Sequence, residues 1–350
     1  MRELSRRELL KLAALGVGAV ALDGILAACK AQTTPGFTPT AEAPVASPTP
    51  TELETPPATP SPDATPLPTT PPSPTPAASV GHPDLVVARN GEPDALVRSA
   101  IAALGGMERF VRSGANVVVK PNICVSYRTY SYAATTNPWV VGTLVKMAYE
   151  AGASSVKVMD YPYGGAAADA YAKSGIAQQV QANGGQMVVM SSRKYVSTNI
   201  PAGKALKRTD VYDDILKADV LINVPIAKHH GSTRLTLAMK NLMGVVRDRS
   251  AMHSLGLSQT IPDLNTLVKS DLTVVDAVRI LTSHGPSGGR LAYVKKLDTV
   301  IASPDIVAAD SYAATLFGLK PTDIGYIKVG GAMGLGRNDL SKLQIEELSV

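Results

Sequence analysis

Four short clusters in this chain carry residues able to do chemistry. Lys120-Pro121-Asn122 follows the apolar run Val117-Val118-Val119, with Cys124 two residues further on. Asp160-Tyr161-Pro162-Tyr163-Gly164-Gly165 is a Gly-rich link. Lys228-His229-His230 comes soon after Leu221-Ile222-Asn223-Val224-Pro225, and Asp276 precedes His284-Gly285-Pro286-Ser287-Gly288-Gly289. Lys and Asn donate hydrogen bonds to an anion, His carries a proton near neutral pH or ligates a metal, and a carboxylate orients that His or completes a metal site. Each cluster also has a plain structural reading. A Lys at a strand end is often surfacing, an Asp before a turn caps the next helix, and a lone Cys is more often a small buried apolar group than a nucleophile. Neither glycine pair matches a dinucleotide or nucleoside-triphosphate fingerprint.

The third cluster is the densest. Gly231-Ser232 predicts a helix running to about Met243, with Gly244 as its stop. At 100° per residue, Thr233, Thr236 and Lys240 would fall within an arc of about 60°, with Leu235, Met239 and Leu242 opposite. Asn241, Arg247, Arg249 and His253 follow closely. The expectation is that Lys120, Lys228, His230, Lys240, Asn241 and His253 share one cleft. His230 and His253 would carry protons or ligate a metal, while Lys120, Asn122, Asp160, Lys228, Lys240, Asn241 and Asp276 would bind the ligand. The alternative is a solvated stripe in which Lys240 complements the helix end.

The elements that must position these groups alternate from Asp84 onward between short β-branched runs and amphipathic segments. That pattern predicts an α/β fold with a mostly parallel, Rossmann-like sheet covered by helices. Candidate strands are Leu85–Ala88, Asn116–Lys120, Ser155–Asp160, Gln186–Met190, Val220–Val224, Leu272–Asp276 and Thr299–Ala302. Asn137-Pro138 starts a helix, since Asn can cap and Pro at the first helical position gives up an N–H that has no partner there; Gly152 is its stop. Residues 81–350 are enough for a full core and leave room for two lobes. In open α/β sheets ligands bind beyond the carboxyl ends of the strands, where the four clusters fall.

The first eighty residues read differently. Ser5-Arg6-Arg7-Glu8-Leu9-Leu10-Lys11, an uncharged core from Leu12 to Leu22 and the ending Leu26-Ala27-Ala28-Cys29 resemble a twin-arginine leader with a bacterial lipoprotein cleavage site. On that resemblance the twin-arginine export machinery moves the chain already folded, residues 1–28 are cleaved off, and Cys29 carries acyl chains that tether the protein outside the cytoplasm. The leader's apolar run is too short to span a membrane comfortably and is interrupted by Asp23. Residues 29–80 complete a lipidated stalk. From Ala31 to Val80 there is no Lys or Arg, and Pro or Thr fills 27 of 50 positions, too little apolar surface to offset the cost of ordering. Residues 81–350 hold 29 Lys and Arg against 22 Asp and Glu. That balance suits an anionic small molecule, and no basic run interleaved with aromatics points to nucleic acid. With Cys29 lipidated, Cys124 is the one cysteine left, so no cysteine-ligated iron–sulfur cluster is expected.

Several of these runs carry a resemblance. Lys120-Pro121-Asn122, Thr136-Asn137-Pro138, the stretch from Ala218 to Pro225, Lys228 with His230, Thr236 through Gly244, His253, Val275-Asp276 and Asp305 through Asp310 resemble the domain of unknown function 362 family over nearly all of residues 85–340. Some members have ferredoxin-like cysteine motifs, which this chain lacks. The layout is also distantly similar to the lactate racemase family, which uses a nickel-containing nucleotide cofactor. The resemblance names no substrate, and a metal or a nucleotide-like cofactor is compatible with the His and Lys set. Two functions stay open: an exported enzyme or cofactor protein, and a tethered receptor for a phosphorylated or carboxylated ligand. Replacing Arg6 and Arg7 by Lys is expected to leave uncleaved precursor in the cytoplasm on fractionation. Unchanged export would assign the leader to the general secretory route.

Overall fold

Runs of Val, Ile, Leu and Ala make strands that are apolar on both faces, which is what a sheet covered by helices on both sides demands. A computed structural model describes residues 81–350; the leader, Cys29 and the Pro/Thr-rich stretch lie outside the described residues. The strands are β1 (Leu85–Arg89), β2 (Asn116–Pro121), β3 (Ser155–Val158), β4 (Gln186–Met187), β5 (Tyr195–Asn199), β6 (Arg208–Tyr212), β7 (Val220–Val224), β8 (Ile226–His230), β9 (Arg234–Thr236), β10 (Leu272–Leu281), β11 (Val294–Ser303) and β12 (Ile345–Ser349). The helices are α1 (Pro93–Ala103), α2 (Pro138–Glu150), α3 (Ala167–Lys173), α4 (Ile176–Ala182), α5 (Asp213–Leu216), α6 (Ala238–Asn241), α7 (Arg249–Ser254), α8 (Leu257–Leu267), α9 (Ile306–Thr315) and α10 (Gly325–Ala332).

Ten strands form one mostly parallel sheet in the order β12-β1-β11-β10-β7-β2-β3-β4, with β8 and β9 branching from β10. Strand β11 runs antiparallel between β1 and β10, and β5–β6 is a separate antiparallel ribbon. Side chains alternate across the sheet as the pleat requires. Val86, Ala88, Val117, Val119 and Ile222 pack in one layer with Leu96, Ile101, Val141 and Leu144 of α1 and α2. Leu85, Val87, Val118 and Leu221 pack in the other with Ile261, Leu264, Ala309 and Ile327 of α8, α9 and α10. Among the described residues no helix is long and apolar enough to cross a membrane.

The chain leaves β2 towards β3 and β4, then returns to place β7 on the other side of β2. This reversal creates a crevice at the carboxyl ends of β2 and β7, the usual place for a ligand in an open α/β sheet. Register brings Lys120 opposite Asn223 there. Helix α2 begins as its sequence predicts, with the Asn137 side chain accepting from Trp139 N at 3.0 Å and Pro138 in the first turn. Gly152, at φ +96°, follows its end. The predicted strands are all present, although β3 and β4 stop early, at Val158 and Met187.

One expectation fails. The segment after His230 is not a helix from Gly231 to Met243: β8 turns at residues 231–233, returns as β9, and only then makes the short helix α6 and a 3-10 turn over Leu242–Val245. The cause is long-range. Strand β10 is ten residues long; its first half pairs with β7 and its second half, past a bulge, with β8. Arg234 takes φ +63° in the turn, and Lys228 pairs across the hairpin with Thr236. Helix α6 is held from α9 instead of by its own sequence: buried Asp310 accepts from Ala238 N at 2.5 Å and from Met239 N at 3.0 Å. Burial pushes the Asp310 carboxyl up to about 7, opposed by those two N–H groups. Asp310→Ala leaves both donors buried without an acceptor, so urea unfolding is expected to show a loss of roughly 3 kcal/mol.

Candidate functional site

A chain of buried polar side chains lies at the switch point. Lys120, at the end of β2 and 1% exposed, meets the Asp160 carboxylate just past β3 at 2.8 Å. Its ammonium also donates to Pro121 O and to Asn241 Oδ1, each at 3.0 Å. Asn241 Oδ1 accepts again from Asn122 Nδ2 at 2.9 Å, and Asn122 Oδ1 accepts from Lys228 Nζ at 2.9 Å. Lys228, also 1% exposed, completes its donors on Ala134 O at 2.6 Å and Pro286 O at 3.0 Å. Asn241 Nδ2 donates to Asn223 Oδ1 at 2.8 Å, tying α6 to β7. Asp160 accepts from Ile123 N at 2.6 Å. Burial pushes Lys120 down and Asp160 up, and their mutual contact opposes both shifts. Such a pair holds only where geometry and extra hydrogen bonds repay desolvation; Lys120 makes two further hydrogen bonds and Asp160 Oδ2 one, while Asp160 Oδ1 has the ion pair alone.

Gly244 explains how the pair fits. A Cβ there would clash with Asp160 Oδ1 and come within 2.5 Å of Lys120 Nζ. The sequence reads Gly244 as a helix stop, yet it lies inside the 3-10 turn, and its value is the space it leaves.

Above this floor opens a cleft of about 550 Å³, to which Lys120, Asn122, Asp160, Lys228, His230, Lys240, Asn241 and His253 all contribute. The network occupies the donors of Lys120 and Lys228, and Lys240 is different. It is 8% exposed, and its one hydrogen-bond partner among the described residues is the weak acceptor Met243 Sδ at 3.5 Å. Burial, then the charges of Lys228 and Arg249, pulls its ammonium down to about 7. Beside it in the lining, the buried hydroxyl of Thr236 has no partner among the described residues. His230 Nδ1 accepts from Ser232 N at 3.1 Å, which leaves the proton on Nε2. Burial, together with Lys240 and Lys228, lowers His230 to about 3, so it is a neutral imidazole at physiological pH. Exposed His253, on α7, is also lowered, by partial burial and by Lys240 and Arg249.

Asp276 is the exception among the expected ligand groups. It does not line the cleft: fully buried, it accepts from Asn137 N at 2.7 Å and Val278 N at 3.0 Å, anchoring the start of α2 to the β10 bulge. Thr233 also leaves the expected stripe and bonds Leu235 O within its own turn. The sequence reading names Arg247, Arg249, Tyr161 and Tyr163 in these clusters but gives none of them a binding role. Arg249 donates to Tyr161 O and Pro162 O at 3.2 and 3.1 Å and sits 5.0 Å from the Tyr161 ring centroid, so it braces the loop after β3. Tyr163 and Arg247, both exposed, line the same space. The signal for Arg247 and Arg249 is their closeness to Lys240, but nothing local announces that Arg249, at the start of α7, turns towards Tyr161.

The lining groups define what can bind. Among the described residues no three or more His, Cys, Asp or Glu side chains are grouped to hold a metal ion. The cleft's carboxylates are Asp160, taken by Lys120, and the exposed Asp248, whose side chain caps α7 by accepting from Ser250 N at 2.9 Å. Against these stand Lys240, Arg247 and Arg249. That donor set does not fit a bare cation held by protein ligands alone; it fits an anion, including the phosphate of a nucleotide-like group.

Comparison with known proteins adds four findings. A family model described as "Domain of unknown function (DUF362)" matches residues 117–315. A thylakoid-associated protein, sll1697, of Synechocystis sp. is 24% identical over 249 residues, covering 69% of this chain and 75% of that protein. The lactate racemase apoprotein of Thermoanaerobacterium thermosaccharolyticum aligns with a TM-score of 0.39 at 12% identity, over 61% of this chain and 53% of that one. A Thermotoga maritima protein aligns with a TM-score of 0.35 at 11% identity, over 65% of this chain and 60% of that one. The chain thus spans between half and two thirds of the length of the solved structures it matches.

Lys120→Met removes the cation from a buried carboxylate, and chemical denaturation is expected to show a loss of roughly 3–5 kcal/mol. Adding Asp160→Asn should recover part of that loss, because the uncompensated charge is then gone. A single variant as stable as the parent would show that the pair contributes nothing to the fold.

Proposed function

This chain belongs to the family of the domain of unknown function DUF362, and from that premise we propose that it is an exported, membrane-tethered enzyme or cofactor protein whose cleft binds an anionic small molecule. The observation that carries the reading is Lys240, an almost fully buried cation that among the described residues has no carboxylate partner, beside the Thr236 hydroxyl, also without a partner there, in the same lining. A buried charge without a partner is costly, and an incoming carboxylate or phosphate removes that cost while satisfying the hydroxyl. Lys120, Lys228, Asn122 and Asn241 act as the fixed floor, while Lys240, Arg247 and Arg249 supply free donors. His253 gives the cleft a group able to take up a proton, and His230, a neutral imidazole with its proton on Nε2, gives it a hydrogen-bond donor.

The tether rests on the leader. Arg6-Arg7 and the Leu26-Ala27-Ala28-Cys29 ending support export and lipidation at Cys29, and the Pro/Thr-rich segment supports a spacer between membrane and domain. The Synechocystis relative is named for association with thylakoids, which agrees with a membrane setting.

Sulfate, whose charge is constant from pH 6 to 9, tests the binding half of the proposal. A bound anion favours protonated Lys240. Below pH about 7 Lys240 is already charged and affinity is flat, whereas above it binding must take up a proton. Calorimetric titration is therefore expected to show sulfate affinity falling above pH 7, at most about tenfold per pH unit. Affinity independent of pH, or no sulfate binding at any pH, would count against Lys240 as the anion's partner.

A further inference from the structure

We infer that the Lys240 amine condenses with an aldehyde or ketone carried by the anionic ligand, so that the substrate class is an oxo acid or a phosphorylated carbonyl compound. This rests on the proposed anion site and adds to it a covalent role for one of its lysines. Three lysines meet in the cleft, and the structure treats them differently. Lys120 is committed to Asp160, Pro121 O and Asn241, and Lys228 to three oxygen acceptors. Among the described residues Lys240 has only a thioether sulfur at 3.5 Å, the arrangement that leaves a nitrogen lone pair free to attack.

The surroundings favour an uncharged amine. Lys240 is faced by Lys228 on β8, Lys120 on β2, Arg249 and His253 on α7, His230 at the end of β8 and Cys124 beyond β2. The one buried carboxylate of the lining, Asp160, is paired with Lys120. With the amine drawn down to about 7, about half is unprotonated at neutral pH. Arg247 and Arg249, in the same lining, share the ligand's anionic end with Lys240 and keep it bound in the fraction where Lys240 is the free amine.

The step balances without an added reagent. The Nζ lone pair forms a bond to the carbonyl carbon, and the carbonyl π electrons move to oxygen. One amine proton passes to that oxygen, giving a carbinolamine. The C–O bond then breaks, the second amine proton leaves with the hydroxyl as water, and a C=N bond remains. The unpaired Thr236 hydroxyl and the Nε2–H of His230 are the lining groups able to hydrogen-bond the departing oxygen.

Pyridoxal 5′-phosphate, an aldehyde with a phosphate, is a direct probe. The full-length chain is incubated briefly with it at pH 7.5, reduced with cyanoborohydride, digested and mapped by mass spectrometry. The expected result is an adduct at Lys240 at least tenfold above that at exposed lysines such as Lys217 and Lys342, slowed by excess sulfate. An adduct spread over the exposed lysines with Lys240 unmodified overturns the inference. Mapping the parent chain decides the matter whether or not Lys240→Arg folds; if that variant folds, it should retain only the background label. Thermal shift with sulfate separates the two proposals. Stabilisation without a Lys240 adduct leaves the anion site standing and removes the condensation, and neither effect removes both.

Discussion

The contact between Lys120 and Asp160 is the interaction on which the rest of the site depends. Two opposite charges are held out of water at the carboxyl edge of a parallel sheet, and neither survives there alone. Keeping them together fixes the loop after β3 through Ile123 N, fixes α6 through Asn241, and requires glycine at position 244 because a methyl group would occupy their space. Asn122 and Asn223 extend the same hydrogen bonding to β8 and β7. Elements from five separate stretches of the chain are therefore registered against one another by side chains whose donors and acceptors are nearly all used. Fully satisfied networks of this kind are rigid, which suits the floor of a site better than its working surface.

That saturation also decides where reactivity is left. Because Asp160 spends its charge on Lys120, the cleft has no buried carboxylate to offer Lys240. The result is an excess of positive potential in a partly enclosed space, where electrostatic effects are stronger than in water. Helix α6 has four residues and is capped by Asp310 from another helix, so the position of Lys240 is set by tertiary contacts rather than by any tendency of its own segment to be helical. On the proposed reading, the same Lys228 and Arg249 charges that would favour an anion also depress the basicity of Lys240, so binding and chemistry would be coupled through one group.

Much of the fold was legible because buried parallel strands need long β-branched runs, and those runs are local. The strands from β1 to β3, β7, β10 and the capped start of α2 could be read from residue types alone. The hairpin β8–β9 could not. Its residues from Gly231 to Met243 have a helical hydrophobic period, but β8, paired with β10, offers a free backbone edge, and pairing of β9 with that edge outweighs a weak local preference. Asp276 misled for a related reason: an acid at a strand end resembles a ligand group, while the β10 bulge turns it to the backbone of Asn137.

The sequence by itself determined the apolar runs of the sheet's parallel strands and most of the polar residues at their carboxyl ends, since these follow from residue type and short-range periodicity. The expectation of a leader and a stalk rests on residue order and composition alone. Only the tertiary structure decided which of three lysines is spent and which is free. That distinction depends on the distances from each ammonium to oxygens contributed by segments up to 121 residues apart, and no local pattern encodes a distance across the fold.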